Sequence, residues 1–190
     1  MKVKLILGLA LCIISTSVLA QRKKSNPEPA PAEQSPIQAK TAGMKKYEGY
    51  FEYYYDEKQD KIHLVVDKLD TEFLYVNSLS AGIGSNDIGL DRGQLGGDRI
   101  VKFDRRGPKV LLIQPNYRYR AMTDNATEKR AVDQAFAQSV LGGFTVEAEE
   151  PNRVLIDITD FLLSDAHDVI GRLKQAKQGN YSLDKSRSAL

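Results

Sequence analysis

From Gly49 onward the chain alternates apolar and polar residues with a period of two, interrupted by short turn-rich stretches. Gly49, Phe51, Tyr53 and Tyr55 alternate with Tyr50, Glu52 and Tyr54, and the polar run DEKQDK leads into Ile62 to Asp67. That pattern predicts a hairpin. Glu72 to Asn77 predicts a further strand after a short LDT connection. RIVKFD and KVLLIQP flank RRGP, where Gly107 and Pro108 supply the turn and β-branched residues fill both arms. Tyr117-Arg118-Tyr119-Arg120 continues this hairpin as an alternating, charge-guarded edge. FTVEAE and RVLIDIT, joined by Glu150-Pro151-Asn152, predict the last hairpin.

Two segments switch to helical spacing. In EKRAVDQAFAQSVL the residues Ala131, Val132, Ala135, Phe136, Val140 and Leu141 repeat at that period, with Asp124 or Thr127 as candidate cap. Ser164 is placed to cap a second helix from Asp165 to Lys177 that buries Val169, Ile170 and Leu173. The order of elements predicts an α+β fold, mainly antiparallel β hairpins with two helices, since parallel crossover units would alternate regularly.

The chain ahead of this domain reads differently. Lys2 and Lys4, the apolar stretch Leu5 to Ile14 and the small-residue pattern Val18-Leu19-Ala20 read as a signal peptide over residues 1–20, too short in its apolar part to span a bilayer. Export to the periplasm or beyond is therefore expected, with no integral membrane segment after cleavage. Residues 21–46 hold Pro27, Pro29, Pro31 and Pro36 with few large apolar residues, and read as a proline-rich disordered linker. Residues 47–190 remain for a single α+β domain. The lone Cys12 falls inside the leader, so the mature chain has no thiol for a disulfide, for catalysis or for a metal. Removing Lys2 and Lys4 from 27 basic residues leaves 25 against 25 acidic ones. A balance of zero gives no electrostatic footprint for nucleic acid or anionic lipid.

Candidate chemistry is sparse. His63 reads as a half-exposed strand residue, and His167, between Asp165 and Asp168, as a surface or capping residue. The two lie too far apart for the helical pair of histidines, four residues apart, that zinc peptidases use. No GxSxG elbow is present. The most unusual stretch is SAGIGSNDIGLDRGQLGGD, Ser80 to Asp98. It fails the dinucleotide fingerprint at Asp87, the P-loop at Leu90 and the calcium loop at Ile88. It reads as a structural loop packed over the sheet or as a docking loop built on Asn86, Asp87, Asp91, Arg92 and Gln94. Tyr53 and Tyr55, with Arg118 and Arg120, form the candidate binding surface, although alternating aromatics are also what a half-buried strand carries.

The stretch from EFLYVNSLSAGIGSNDIGLDRGQLGGDRIVKFDRRGPKVLLIQPNYRYRA, with AVDQAFAQSVLGGF and DFLLSDAHDVIGRL, resembles an uncharacterised N-terminal domain of large secreted bacterial zinc-dependent metallopeptidases. The resemblance covers about residues 44 to 190. It implies a metzincin-like HExxH catalytic domain downstream, which this chain does not contain. The chain itself then has no catalytic residue and no metal ligand, zinc belonging to the missing catalytic domain. The expected function is a non-catalytic accessory domain or fragment that assists folding, docking or substrate guidance of a peptidase catalytic domain in cis or in trans. The alternative is a stand-alone periplasmic or extracellular module that binds a ligand or a protein. A narrower idea makes the loop a latency device, with Asp87 or Asp91 occupying the open zinc position of the catalytic domain.

Overall fold

The computed structural model describes residues 34–190. The expected leader and the first part of the expected linker lie outside the described residues. Eight strands form one sheet: β1 Lys45–Tyr47, β2 Glu52–Asp56, β3 Lys61–Val66, β4 Glu72–Leu79, β5 Gln94–Arg106, β6 Lys109–Gln114, β7 Ser139–Glu150 and β8 Arg153–Asp157. Their spatial order is β1-β2-β3-β8-β7-β6-β5-β4, with every neighbouring pair antiparallel. The helices are short: α1 Pro36–Lys40, α2 Ala126–Ala135, α3 Thr159–Leu162 and α4 Val169–Gln175, with a 3-10 turn at Lys185–Arg187.

The sheet curls strongly. β2 and β4 are six strand steps apart, about 29 Å on a flat sheet. Yet the Phe51 ring, just ahead of β2, lies 5.2 Å from that of Phe73 on β4, and both meet Phe103. Only a sheet bent towards closure brings them together. Register shifts at Val76/Ser78, Leu112/Ile113 and Val146/Ala148 supply part of the bend, since each extra residue locally raises twist. The concave side holds the main core of Val66, Val101, Phe103, Val110, Leu112, Phe144, Val154 and Ile156. α3 adds Phe161, whose ring sits 5.8 Å from Phe144.

β8 is covered on both faces, which explains the unbroken apolar run Val154-Leu155-Ile156. Val154 and Ile156 enter the concave core, whereas Leu155 points to the convex side. There it meets Val65 and Ile37 of α1, all three buried, with Tyr54 and Ala148 around them.

The fold class is thus corrected. Strand makes up 39% of the described residues and helix 18%, so this is a mainly-β fold, a curled antiparallel half-barrel rather than the expected α+β domain. The expected helix through residue 141 ends at Ala135, because Ser139 and Val140 pair with Gln114 and Ile113 and begin β7. Asn125 caps it, its side chain accepting from Thr127 N at 2.9 Å. None of its residues is buried, so α2 lies on the surface instead of in the core. The second expected helix, Asp165 to Lys177, is shortened to α4, and α3 forms ahead of it where no helix was expected. Ser164 does not cap it, since its hydroxyl donates to Phe161 O; the Asp165 carboxylate accepts instead from Val169 N and Ile170 N at 2.8 and 2.9 Å. Tyr117 to Arg120 belongs to no strand.

Residues 36–47, expected to be linker up to 46, are ordered against the sheet. Ser35 and Gln38 form a reciprocal capping box around Pro36 at the first helical position. Ser35 Oγ donates to Glu150 Oε1 at 2.5 Å, and Arg153 Nε donates to Glu150 Oε2 at 2.6 Å. The Ser35 hydroxyl first, and then Arg153, hold the Glu150 carboxyl below its ordinary value of about 4.5, against the opposing effect of burial. A depressed folded-state value stabilises docking above the ordinary value, and that contribution is lost as pH falls through the depressed one. Amide exchange at residues 36–41 should therefore accelerate as pH drops below about 4.5, after correction for intrinsic rates. Glu150→Gln should flatten that dependence; an unchanged pH profile would remove the carboxylate from the latch.

Candidate functional site

The glycine-rich stretch is a shaped hairpin, pinned at both ends. Leu90 N donates to Ser85 O and Ile83 N donates to Leu90 O, at 3.0 and 3.1 Å, and the Leu90 side chain is fully buried. The guanidinium of Arg172 on α4 donates to Gly89 O at 2.9 Å. A Cβ on Gly89, whose φ is +66°, would run into that guanidinium.

The loop residues do not converge. Asn86 and Asp87 are exposed at the tip, Arg92 is exposed, and Asp91 accepts from Arg92 N at 2.9 Å. Gln94 lies in β5, opposite Leu79, rather than in the loop. Among the described residues no three His, Cys, Asp or Glu side chains converge on a possible metal position.

Tyr53 and Tyr55 are half-buried on β2. Tyr53 stacks on Tyr47 with centroids 4.9 Å apart, and the Tyr55 hydroxyl donates to Asp60 at 2.8 Å, which raises the phenol above its usual range. Arg118 and Arg120 are exposed beside α2, Arg118 lying over Tyr119, which stacks on Phe136 at 4.1 Å. The cavities that the two arginines line contain neither Tyr53 nor Tyr55, so the expected binding surface is not one surface.

Both histidines are buried, unlike their sequence reading. His63 Nδ1 lies 2.7 Å from Glu147 Oε2, beneath α1, with Lys40 3.8 Å from the same carboxylate. His167 Nδ1 lies 3.3 Å from Asn77 Nδ2, which also donates to Ala166 O at 3.1 Å. An amide nitrogen donates, so this pairing puts the ring proton of His167 on Nε2. That nitrogen is buried with no partner among the described residues.

His167 lines a groove that sequence reading missed. β4 ends the sheet, so one of its long sides has no strand partner among the described residues. Tyr75 to Leu79, five consecutive residues, line a groove of about 610 Å³. Consecutive strand residues face opposite ways, so a cavity touching all five runs along the strand's edge. Its other wall comes from α3, α4 and the C-terminal segment, chiefly Leu162, Val169, Ile170, Leu173, Tyr181 and Leu183.

A family model described as a domain of unknown function (DUF5117) matches residues 93–190, just over half of the chain. The chain belongs to this family. The DUF5117 match begins at the end of the glycine loop and takes in β5 to β8 and all the helices after α1. It therefore contributes the α3 and α4 wall of the groove, whereas β4 lies ahead of it. No curated protein and no solved structure matches the chain. No helix among the described residues is long and apolar enough to cross a membrane.

Proposed function

We propose that the chain is an exported, non-catalytic accessory domain of a secreted zinc-dependent metallopeptidase, acting on a catalytic domain in cis or in trans. The sequence resemblance over residues 44 to 190 suggests the peptidase, and residues 1–20 suggest the export. The observation that carries the docking role is the outer face of β4 and β5. Leu74, Val76, Leu95 and Ile100 share that face through the cross-strand pairs Leu74–Ile100, Val76–Asp98 and Ser78–Leu95. They are exposed by 62%, 41%, 72% and 41%. An apolar patch of this kind on a domain surface marks a contact with another domain or protein. Zinc, on this reading, is held by the partner's own ligands.

The test is immunoprecipitation from the native host with an antibody against residues 47–190, followed by mass spectrometry. An HExxH-bearing sequence, in the same polypeptide or bound to it, is expected, while the purified chain alone cleaves no peptide in a chelator-sensitive way. Recovery without any HExxH protein, or zinc-dependent cleavage by the chain itself, would overturn the reading. The groove beside β4 favours a second reading, a stand-alone module that binds a ligand or protein, which the absence of any HExxH partner would promote.

A further inference from the structure

We infer that the groove along β4 binds an extended polypeptide segment, which adds as a ninth strand between β4 and α4. This deepens the accessory role above by making the domain a guide for substrate, and rests on that role only for the source of the peptide.

The two ends of the sheet are built differently. β1 is three residues long and two of them are lysines, the short and charged form that deters strand addition. β4 is eight residues long with one charge, Glu72, at the end away from the groove. Its unpaired N–H and C=O groups form a template that another strand can read. Five strand residues at about 3.3 Å each give a run of about 16 Å, enough for four or five residues of extended peptide.

The lining sets what fits. The far wall is apolar, so side chains turned towards α4 are expected to be apolar. Asp165 spends its carboxylate on the α4 backbone and Asp184 on Ser186 and Arg187. With both acids at the groove, an acidic peptide is disfavoured and basic flanks are favoured. His167, a groove residue, adds a buried Nε2 beside Asn77 of β4 that has no partner among the described residues. Proline is excluded where the peptide must donate an N–H to β4. A volume of about 610 Å³ lies in the usual range for a bound ligand, about 300–1,000 Å³. It is too small for the edge of a second eight-stranded sheet, which argues against a second copy as occupant.

The probe is fluorescein-labelled acetyl-Lys-Val-Thr-Val-Thr-Val-Lys-amide, titrated with the full chain and read by fluorescence anisotropy. Saturable binding is expected. N-methylating the two threonines, which alternate along the strand, removes two backbone donors but keeps every side chain, and should weaken binding by about tenfold or more. Ile170→Arg puts a long cation into the groove and should weaken it at least as much, with circular dichroism unchanged. Glu57→Arg, in the exposed turn between β2 and β3 and away from both the groove and the docking face, should leave affinity as it was. If Ile170→Arg fails to fold, Leu183→Arg on the exposed C-terminal wall gives the same reading.

Absence of saturable binding, equal affinity for the N-methylated peptide, or indifference to both groove variants would overturn the inference. So would a concentration-dependent dimer that either groove variant dissolves, because the occupant would then be a second copy. Peptide binding without any HExxH partner in the host would sink the accessory role and leave the groove standing. An HExxH partner without peptide binding would do the reverse.

Discussion

Replacing Ile37 with alanine should lower stability by about 2–5 kcal/mol, the range for emptying a buried aliphatic site. Ile37 is fully buried against Val65 and Leu155, and it is the only buried side chain of α1. The loss has a ceiling set by the docking free energy of α1. Once the helix has left the sheet, further damage at residue 37 costs nothing. Ile37→Ala should therefore expose Val65 and Leu155, with faster amide exchange in residues 36–41 and a new proteolytic site near Gly43. Leu155→Ala, in the central strand, has no such ceiling and should unfold the whole domain cooperatively. Chemical denaturation of both variants, followed by circular dichroism and by proteolysis, separates the two. If Ile37→Ala matches wild type within about 0.5 kcal/mol, α1 contributes no stability to the domain.

The second large effect belongs to Gly82. A Cβ there would press on Leu90 O and lie 2.7 Å from the carbonyl carbon of Asp91. Both are backbone atoms, so no rotamer change relieves the clash. Forced overpacking of this kind costs about 1–3 kcal/mol. In Gly82→Ala the strand-like contact between Ile83 N and Leu90 O should open, and Leu90 should lose its buried position. Gly84 is the control: its φ is +77°, but an added Cβ meets nothing within 4 Å. Gly84→Ala pays only the left-handed backbone cost, about 1 kcal/mol, and should keep Leu90 protected. Exchange protection of the Leu90 amide, with melting temperature, distinguishes them. Equal protection in the two variants would mean that the loop adapts freely and has no fixed shape.

Local signals carried most of the strands. The RRGP and EPN turns and the polar DEKQDK run define hairpins whose two arms are close in sequence, so alternation and turn chemistry suffice to place them. Val140 and Leu141 show the limit. They fit a helical period and a strand period equally well, and only the pairing of Ser139 and Val140 with β6 decides. The helix α1 was in fact signalled, by Ser35 and Gln38 at capping-box spacing with Pro36 between them. The neighbouring prolines pointed to a tether, and the burial of Ile37 depends on Val65 and Leu155, which sequence spacing does not bring near. His63 was misread for the same reason: its partner Glu147 is 84 residues away. The tyrosines of β2 were legible as half-buried strand residues. The groove was not, because one wall is residues 75–79 and the other residues 161–184.

The strand order also dictates a sequence of events. β1 to β3 form one meander of neighbours in the chain, and β4 to β8 form another. Among the described residues, the strands of the two meanders pair only between β3 and β8, where His63 lies opposite Asp157. Each meander can zip from local hairpins, but the seam must wait for a loop of about ninety residues to close, and distant pairings of that kind slow folding. Until it closes, Val65 and Val66 on one side and Leu155 and Ile156 on the other are bare strand edges with apolar side chains. The seam is therefore the point at which an incompletely folded chain is most exposed to aggregation, and α1, whose Ile37 packs on both β3 and β8, is the clasp laid across it once it has formed.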